Sequence, residues 1–266
     1  MENSPLVSIV TIVYNGEKYI KNAIQSVIDQ SYKNIEYIII DGGSTDNTVS
    51  IIKKYQGQIT SWISEKDAGI SDAFNKGIVR TTGEIIGLLN SDDWYEKDTI
   101  AKAVANIEGY DAVYGDLQLW KDNEKDFMVQ GNHRLLTREM TVNHPTVFLR
   151  KECYTKFGSF DTQYKAAMDY ELMLRLMINK CKFKYIPEVL ANMRWQGNSD
   201  KNWFKGCKET LQIKNKYLPQ KKLQNSLFFI KHIIGISVPK YLEKVHFHFL
   251  VRAYRERFSV QKKIYN

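Results

Sequence analysis

Two adjacent aspartates, Asp92 and Asp93, end an apolar run in the segment LLNSDDWY, where their chemistry is conspicuous. Neighbouring carboxylates repel each other, so a positive group is expected beside them unless they are merely solvated in a turn. Oxygen ligands select hard cations such as Mg²⁺ or Mn²⁺, which one or two carboxylates share with water and substrate phosphate. The pair therefore indicates a divalent metal that meets a diphosphate.

Similar polar residues follow three earlier apolar runs. Tyr14 and Asn15 follow the first run, Asp41 the second, and Glu65 and Asp67 the third. One such aspartate alone is usually a helix cap or a turn residue. Because four runs in succession end in this way, we expect the polar residues to converge on one crevice.

The segments that must position these residues alternate between short apolar runs typical of buried strands and segments with the three-and-four apolar spacing of an amphipathic helix. Strands are expected at 6–14, 35–41, 59–65 and 84–90, and helices at 17–30, from 49 onwards, and at 70–80. Ser44, Thr45 and Asp46 are expected at the N-cap of the second helix. This alternation predicts an α/β fold with a mainly parallel central sheet flanked by helices, which binds ligands at the carboxyl ends of its strands.

Length and composition suit one large α/β domain with or without an appendage, since the 266 residues are 43% hydrophobic. Cys153, Cys181 and Cys207 have no paired spacing, which argues against a disulfide framework or a zinc site and favours a reducing cytoplasm. The N-terminal segment lacks the features of a signal peptide. No apolar run reaches the roughly 18 residues of a membrane-spanning helix.

Positive charge is concentrated near the C-terminus. Residues 201–266 contain 15 Lys and Arg against 3 Asp and Glu, whereas residues 1–200 contain 23 against 27. We therefore expect a body at 1–200 and a basic, amphipathic helical extension at 201–266, with helices at 204–217 and about 221–262, broken at Pro239. Aromatic residues among the basic ones favour an anionic membrane surface as partner. Packing on the body or on a second subunit is the alternative; nucleic acid is disfavoured because no base-reading motif is present.

The phosphate-binding motifs of other α/β proteins are missing. The first strand is followed by YNGEKY instead of G-x-G-x-x-G, and no G-x-x-x-x-G-K-[ST] occurs. A phosphate group must therefore be bound in another way, which again favours a metal ion at the aspartate pair.

An ordered set of motifs over about residues 5–195 resembles family 2 glycosyltransferases of the GT-A fold, of the bacterial polysaccharide and O-antigen type. The motifs are VSIVTIVYNGEKYIKNAIQSVIDQSYKNIEYIIIDGGSTDNT, SEKDAGISDAFNKGI, GEIIGLLNSDDWY and AMDYELMLRL. The resemblance implies transfer of one sugar from a nucleotide-sugar, with UDP the expected nucleotide, to a saccharide acceptor. That acceptor would be carried on a polyprenyl diphosphate at the inner face of the cytoplasmic membrane, with the enzyme peripheral there.

The resemblance also assigns residues. Asp93 would bind Mn²⁺ or Mg²⁺, Asp92 would lie near the ribose or donor sugar, and His144 would lie near the metal or the diphosphate. Thr11, Tyr14 and Asp41 would contact uracil. The full set expected at the nucleotide or donor is Thr11, Val13, Tyr14, Asn15, Glu17, Asp41, Ser44, Asp67, Gly69, Asp72, Asn75, Lys76, Asn90, Ser91 and Asp92.

Asp169, in MDYEL, falls where inverting members of the family place the general base. A sugar hydroxyl is a poor nucleophile, so a carboxylate that removes its proton is required, whereas a metal can stabilise the leaving diphosphate. Asp169 could instead cap the helix that it precedes, and Glu171 is the fallback base. Trp94 and Tyr95 could stack on a sugar or fill the core.

Two other functions remain open. A non-catalytic scaffold subunit that binds a nucleotide-sugar would use the same fold. A metal-dependent nucleotidyltransferase would share the acidic site but needs a Gly- and Arg/Lys-rich loop after the first strand, which is missing here. Donor sugar, linkage, oligomeric state and the acceptor determinants in 120–142 cannot be derived from the sequence.

Overall fold

The computed structural model describes residues 4–194, 203–244 and 263–265. Ten strands form one sheet in the order β10-β7-β6-β8-β4-β1-β2-β3, with β5 and β9 pairing off this path. The strands are β1 Val7–Val13, β2 Ile35–Asp41, β3 Ser61–Ser64, β4 Ile85–Asn90, β5 Trp94–Tyr95, β6 Ala112–Lys121, β7 Glu124–Val129, β8 Phe148–Arg150, β9 Phe183–Arg194 and β10 Lys263–Tyr265.

Eight α-helices accompany the sheet in the described part of the chain. They are α1 Ile20–Ile28, α2 Thr48–Lys54, α3 Ile70–Arg80, α4 Thr99–Asn106, α5 Lys151–Phe157, α6 Met168–Ile178, α7 Trp203–Tyr217 and α8 Lys222–Lys244. None of the helices in these ranges is both long and apolar enough to cross a membrane. The three cysteines are free.

The N-terminal half of the sheet is parallel, as the alternating pattern predicts, because β3, β2, β1 and β4 are joined by helical crossovers. Beyond β4 the sheet is mixed, since β8 pairs antiparallel with β4 and β6, whereas β9 pairs parallel with β6. The predicted α/β fold is confirmed, and its purely parallel part is formed by β3, β2, β1 and β4. Of the later strands, β6 and β7 are joined by a short hairpin, whereas α4 lies before β6, and α5 and α6 lie before β9.

Apolar residues cover both faces of the sheet. One core lies under α1, α2 and α4, and includes Ile9, Ile24 and Ile100. The other lies under α3, α5 and α6, and includes Val10 and Phe74. At Gly77 a Cβ atom would stand 2.2 Å from Val10, so α3 can approach β1 this closely only with glycine.

The C-terminal helices are part of this packing. Ile213 of α7 is buried in a third cluster with Tyr170 and Leu174 of α6. Helix α7 therefore packs on the body, as in the packing alternative considered for residues 201–266. Helix α8 continues through Pro239, where a break was predicted, to Lys244; residues 245–262 of the expected second helix lie outside the described residues.

Candidate active site

The polar ends of the first four strands meet at one edge of the sheet. Val13 pairs with Asp41, Asp41 with Ser64, and Ile12 with Asn90. Because these neighbouring strands are parallel, the residues that follow them lie along the same edge. The predicted crevice is confirmed in this respect.

The turn after β1 is braced by the loop after β2. The backbone amides of residues 15–17 donate in turn to Ser44 Oγ at 2.7 Å, Thr48 Oγ1 at 2.9 Å and Asp46 Oδ2 at 3.1 Å. Asn15 has a positive φ of 48°, a conformation that asparagine tolerates. These amides are therefore already hydrogen-bonded, which agrees with the absence of a phosphate-binding turn in the sequence.

The predicted capping of α2 is confirmed for Asp46 only. The N-cap position is Asn47, with no capping hydrogen bond of its own side chain, and Asp46 Oδ1 accepts from the amide of Thr48, the first residue of α2, at 3.0 Å. The other oxygen of Asp46, and Ser44 Oγ, accept from amides at the start of the preceding crossover, and Glu17 accepts from the amide and side chain of Asn47. Glu17 and Ser44 thus hold the loops together rather than pointing freely into the crevice.

Three residues expected at the nucleotide base are buried. Asp41 is fully buried, and its carboxylate accepts hydrogen bonds from Ser44 and Ser64. Thr11 is also fully buried and its Oγ1 accepts from the Tyr37 hydroxyl at 3.1 Å. Val13 is 4% exposed within the core. These three side chains are thus buried at the end of the parallel strands, and their contact with a base stays a prediction.

Tyr14 is the exposed aromatic residue at this end of the sheet, with 64% of its surface accessible. Asp67 stands beside it against Gly42, where a Cβ atom would lie 2.3 Å from the carboxylate. The other carboxylate oxygen of Asp67 accepts from the amide of Gly69 at 2.8 Å. Tyr14 and Asp67 thus line one side of the crevice.

The predicted donor residues on α3 have partners within the protein. Lys76 forms ion pairs with Glu65 at 2.9 Å and with Asp72 at 3.5 Å. Asn75 exchanges two 2.9 Å hydrogen bonds with the backbone of Phe160. These contacts hold the β3–α3 loop and the segment before α6, and the donor contacts expected of these residues stay predictions.

The aspartate pair lies at the end of β4. Asp93 is 1% exposed, one of its oxygens accepts from Asn90 Nδ2 at 3.0 Å, and its Oδ1 is buried without a hydrogen-bond partner. Burial, and secondly the neighbouring charge of Asp92, raise the pKa of Asp93 well above its ordinary value. Burial also raises the pKa of Asp92, which is only partly buried. Ser91, in the turn that carries the two aspartates, lies beside Gly16 in the turn after β1.

The positive group expected beside the pair is Arg194, at the end of β9. Its guanidinium carbon lies 4.3 Å from the ring centre of Trp94 and 4.7 Å from that of Tyr19. Its charge opposes the rise in pKa of both aspartates. Its Nε is buried without a partner. The ring of Trp94 therefore contacts the guanidinium of Arg194, whereas Tyr95 is buried in the core.

The carboxylate oxygens of Asp92 and Asp93 fit a hard cation of the kind that binds few protein ligands. Two adjacent carboxylates with raised pKa values, one with an unpartnered oxygen, share the single positive charge of Arg194, and a divalent ion would supply the further positive charge that favours their ionised forms. No cluster of three or more potential ligands occurs among the described residues. Water and substrate phosphate would complete such a site.

Asp169 and His144 lie together on the α3 side of the sheet. The carboxylate of Asp169 acts on the His144 pKa, but burial has the larger effect and lowers it. His144 packs its ring against Phe74 and Phe160, and its Nε2 is buried without a partner. The described contacts thus associate His144 with the predicted base and give no support for a metal contact.

Glu171 is not available as the fallback base. It is 1% exposed, its two oxygens accept from Arg175 at 3.0 and 2.9 Å, and it also accepts from the Tyr217 hydroxyl. This buried ion pair joins α6 to α7. Asp169, in contrast, is partly exposed, and its carboxylate accepts from the amide of Tyr170 at 2.8 Å.

Helix α6 is capped from outside. Its N-cap residue, Ala167, has no side chain that could accept a hydrogen bond. Glu209 of α7 supplies the acceptor: its Oε2 lies 2.7 Å from the amide of Ala166 and 2.9 Å from that of Ala167, and both oxygens lie 3.1 Å from the amide of Lys165. Glu209 therefore accepts from the amides of residues 165–167, and Asp169 accepts only from the amide of Tyr170 within the first turn.

Sequence reasoning missed Arg194 and Glu209 as site residues. The repulsion between the aspartates indicates that a positive group is needed. The local sequence does not identify it, because Arg194 reaches the pair only through the pairing of β9 with β5. Glu209 carries no local signal, because its partners lie more than 40 residues earlier.

Residues 8–173 match the model of Glycosyl transferase family 2. An uncharacterized glycosyltransferase of Mycobacterium tuberculosis is 31% identical over 183 residues, 66% of this chain and 70% of that protein. A PGL/p-HBAD biosynthesis glycosyltransferase of Mycobacterium bovis is 28% identical over 197 residues, 71% and 77% of the two chains.

Two solved structures share the fold. Residues 1–349 of Staphylococcus aureus TarS superpose with a TM-score of 0.65 at 18% identity, covering 87% of this chain and 72% of that one. The mannosyltransferase PcManGT of Pyrobaculum calidifontis, solved with GDP-Man and Mn²⁺, gives 0.65 at 17% identity, covering 97% and 77%. These likenesses show the fold alone and confirm the expected GT-A type of α/β fold.

Proposed function

The chain belongs to glycosyltransferase family 2, and from that premise we propose an inverting, metal-dependent enzyme that transfers one sugar from a nucleotide-sugar to a saccharide acceptor. UDP is the proposed nucleotide, and the proposed acceptor is a sugar on a lipid diphosphate used in polysaccharide synthesis. The observation that carries the proposal is the pair Asp92–Asp93, whose raised pKa values and unpartnered oxygen suit a cation at the carboxyl edge of the sheet. TarS has been solved with UDP-GlcNAc, and PcManGT with GDP-Man, which supports a nucleotide-sugar donor.

The residues around the crevice have different roles in this proposal. Tyr14 is exposed for stacking on the base, and Asp67 borders the nucleotide. The free Oδ1 of Asp93 supports it as the direct metal ligand, with Asp92 facing the donor. When bound, the metal would stabilise the charge that grows on the leaving diphosphate. Arg194 supplies a fixed positive charge next to the pair.

Asp169 accepts the proton of the acceptor hydroxyl in this proposal. The hydroxyl oxygen forms a bond to the anomeric carbon while the bond from that carbon to the diphosphate oxygen breaks on the opposite face. The electron pair of the broken bond leaves with the nucleoside diphosphate, and the proton remains on Asp169. This displacement inverts the anomeric centre.

Release of nucleoside diphosphate from a panel of nucleotide-sugars, with Mn²⁺, with Mg²⁺ and with excess chelator, tests the proposal. We expect metal-dependent release, lost by at least about a hundredfold in Asp93→Ala, while Asp92→Ala mainly raises the donor KM. Full release in chelator would reject metal dependence. If Asp92→Ala loses the response to metal and Asp93→Ala keeps it, Asp92 is the metal ligand instead. If the wild-type protein releases no nucleoside diphosphate from any donor, the scaffold alternative is favoured.

A further inference from the structure

Helix α8 exposes a continuous apolar stripe. The stripe consists of Leu223, Leu227, Ile230, Ile234, Val238 and Tyr241, which are 41–76% exposed. Of the eleven large apolar side chains exposed in the described part of the chain, six belong to it, whereas the others are scattered. A contiguous exposed patch of this kind on an otherwise ordinary surface indicates an interaction site.

The stripe faces outward because the other side of α8 is fixed to the protein. Asn225 is 3% exposed and donates to Asn215 at 3.1 Å. The ring of Phe228 lies 3.9 Å from Lys214 Nζ, and His232 Nδ1 lies 3.5 Å from Glu139. These contacts set the rotation of α8 about its axis. The apolar stripe is therefore a fixed feature of the surface and extends over about 27 Å at 1.5 Å per residue.

Charge distinguishes between the possible occupants. Lys221, Lys222 and Lys231 are exposed at the start of the stripe and beside it, and residues 201–266 carry 15 basic against 3 acidic residues. A second copy would bring the same excess of positive charge to a self-complementary contact, where like charges repel. An anionic lipid surface satisfies both the apolar side chains and the lysines.

We propose that the outer face of α8 lies in the interface of an anionic membrane, with the stripe inserted among the lipid head groups and Lys221, Lys222 and Lys231 paired with phosphates. The helix then lies on the bilayer and does not cross it. The proposal is independent of the donor chemistry, because none of these residues belongs to the crevice.

Sedimentation of the full-length protein with vesicles tests this surface. Vesicles of phosphatidylcholine with phosphatidylglycerol are expected to bind the protein, and vesicles of phosphatidylcholine alone to bind it weakly. Ile230→Asp combined with Ile234→Asp should reduce binding at least about tenfold, since two side chains leave the interface. Val79→Asp changes an 80% exposed apolar residue on α3 and is the matched control, with binding unchanged.

Charge and folding are tested separately. Lys231→Glu should weaken binding to anionic vesicles and make it less sensitive to salt. Thermal melting and donor hydrolysis of all variants in solution should match the wild type, which separates this test from that of the proposed function. Equal binding to both vesicle types, or no effect of the Ile230/Ile234 change, would overturn the proposal. So would a dimer, measured by light scattering, that the same change dissociates.

Discussion

Asp169 and Glu171 lie in the first turn of the same helix, but their surroundings give them different roles. Asp169→Asn preserves shape and removes basicity, so we expect transfer to fall by about 10²–10⁴-fold with little change in donor KM or melting temperature. Steady-state kinetics and thermal melting measure this. Retained transfer would reject Asp169 as the base.

Glu171→Gln is the matched comparison, because the same helix turn is altered at a buried ion pair. Breaking a buried pair typically costs ~3–5 kcal/mol of folding stability. We therefore expect a lower melting temperature and, in the folded fraction, near-normal turnover. A stable but inactive Glu171→Gln would restore Glu171 as a candidate base.

Arg194 is expected to set the acid limit of activity. Its charge lowers the pKa of Asp92 and Asp93, so Arg194→Ala should raise both pKa values further. The ionised pair would then form only at higher pH, and the acid limb of the pH–rate profile should move upward. Arg194→Lys retains the charge and should move it less. An unchanged acid limb in Arg194→Ala would contradict this coupling.

At the scale of elements, the sequence predicts the crevice well and its bracing poorly. Helix α3 is expected at 70–80 and found at Ile70–Arg80, since its apolar period and the flanking Gly69 are local signals. Asp41 and Thr11 have the residue types of a binding site, but strand pairing buries them. The cap of α6 was unpredictable, because Ala167 offers no acceptor and Glu209 reaches it only through tertiary packing.

Glu209 should therefore position Asp169 without touching substrate. Glu209→Gln replaces a carboxylate at a helix N-terminus by an amide, whose NH₂ group cannot accept. We expect a lower kcat with little change in donor KM, because α6 shifts while the crevice of β1–β4 is unaffected. Gln212→Ala, a change at an exposed residue on the same helix that leaves the Lys205–Glu209 ion pair intact, is the control. If donor KM rises as much as kcat falls, Glu209 acts on the whole fold instead.

At the scale of the whole molecule, the two C-terminal helices, α7 and α8, differ in what they contact. Helix α7 contributes Glu209, Ile213 and Tyr217 to the packing of α6, whereas α8 presents its stripe to the outside. Ending the chain after residue 202 should strongly lower the melting temperature, and ending it after Leu218 should lower it less. Equal melting temperatures for the two shortened chains would show that α7 is dispensable.

The external cap of α6 also limits how related enzymes can be recombined. The family match ends at residue 173, inside α6, while the acceptor of its N-terminal amides comes from residue 209. A hybrid that joins the crevice of one relative to the C-terminal segment of another at residue 200 would separate a helix from its cap. A crossover after Tyr217 keeps Glu209 with α6, so the segment that follows can be exchanged while the position of Asp169 is preserved.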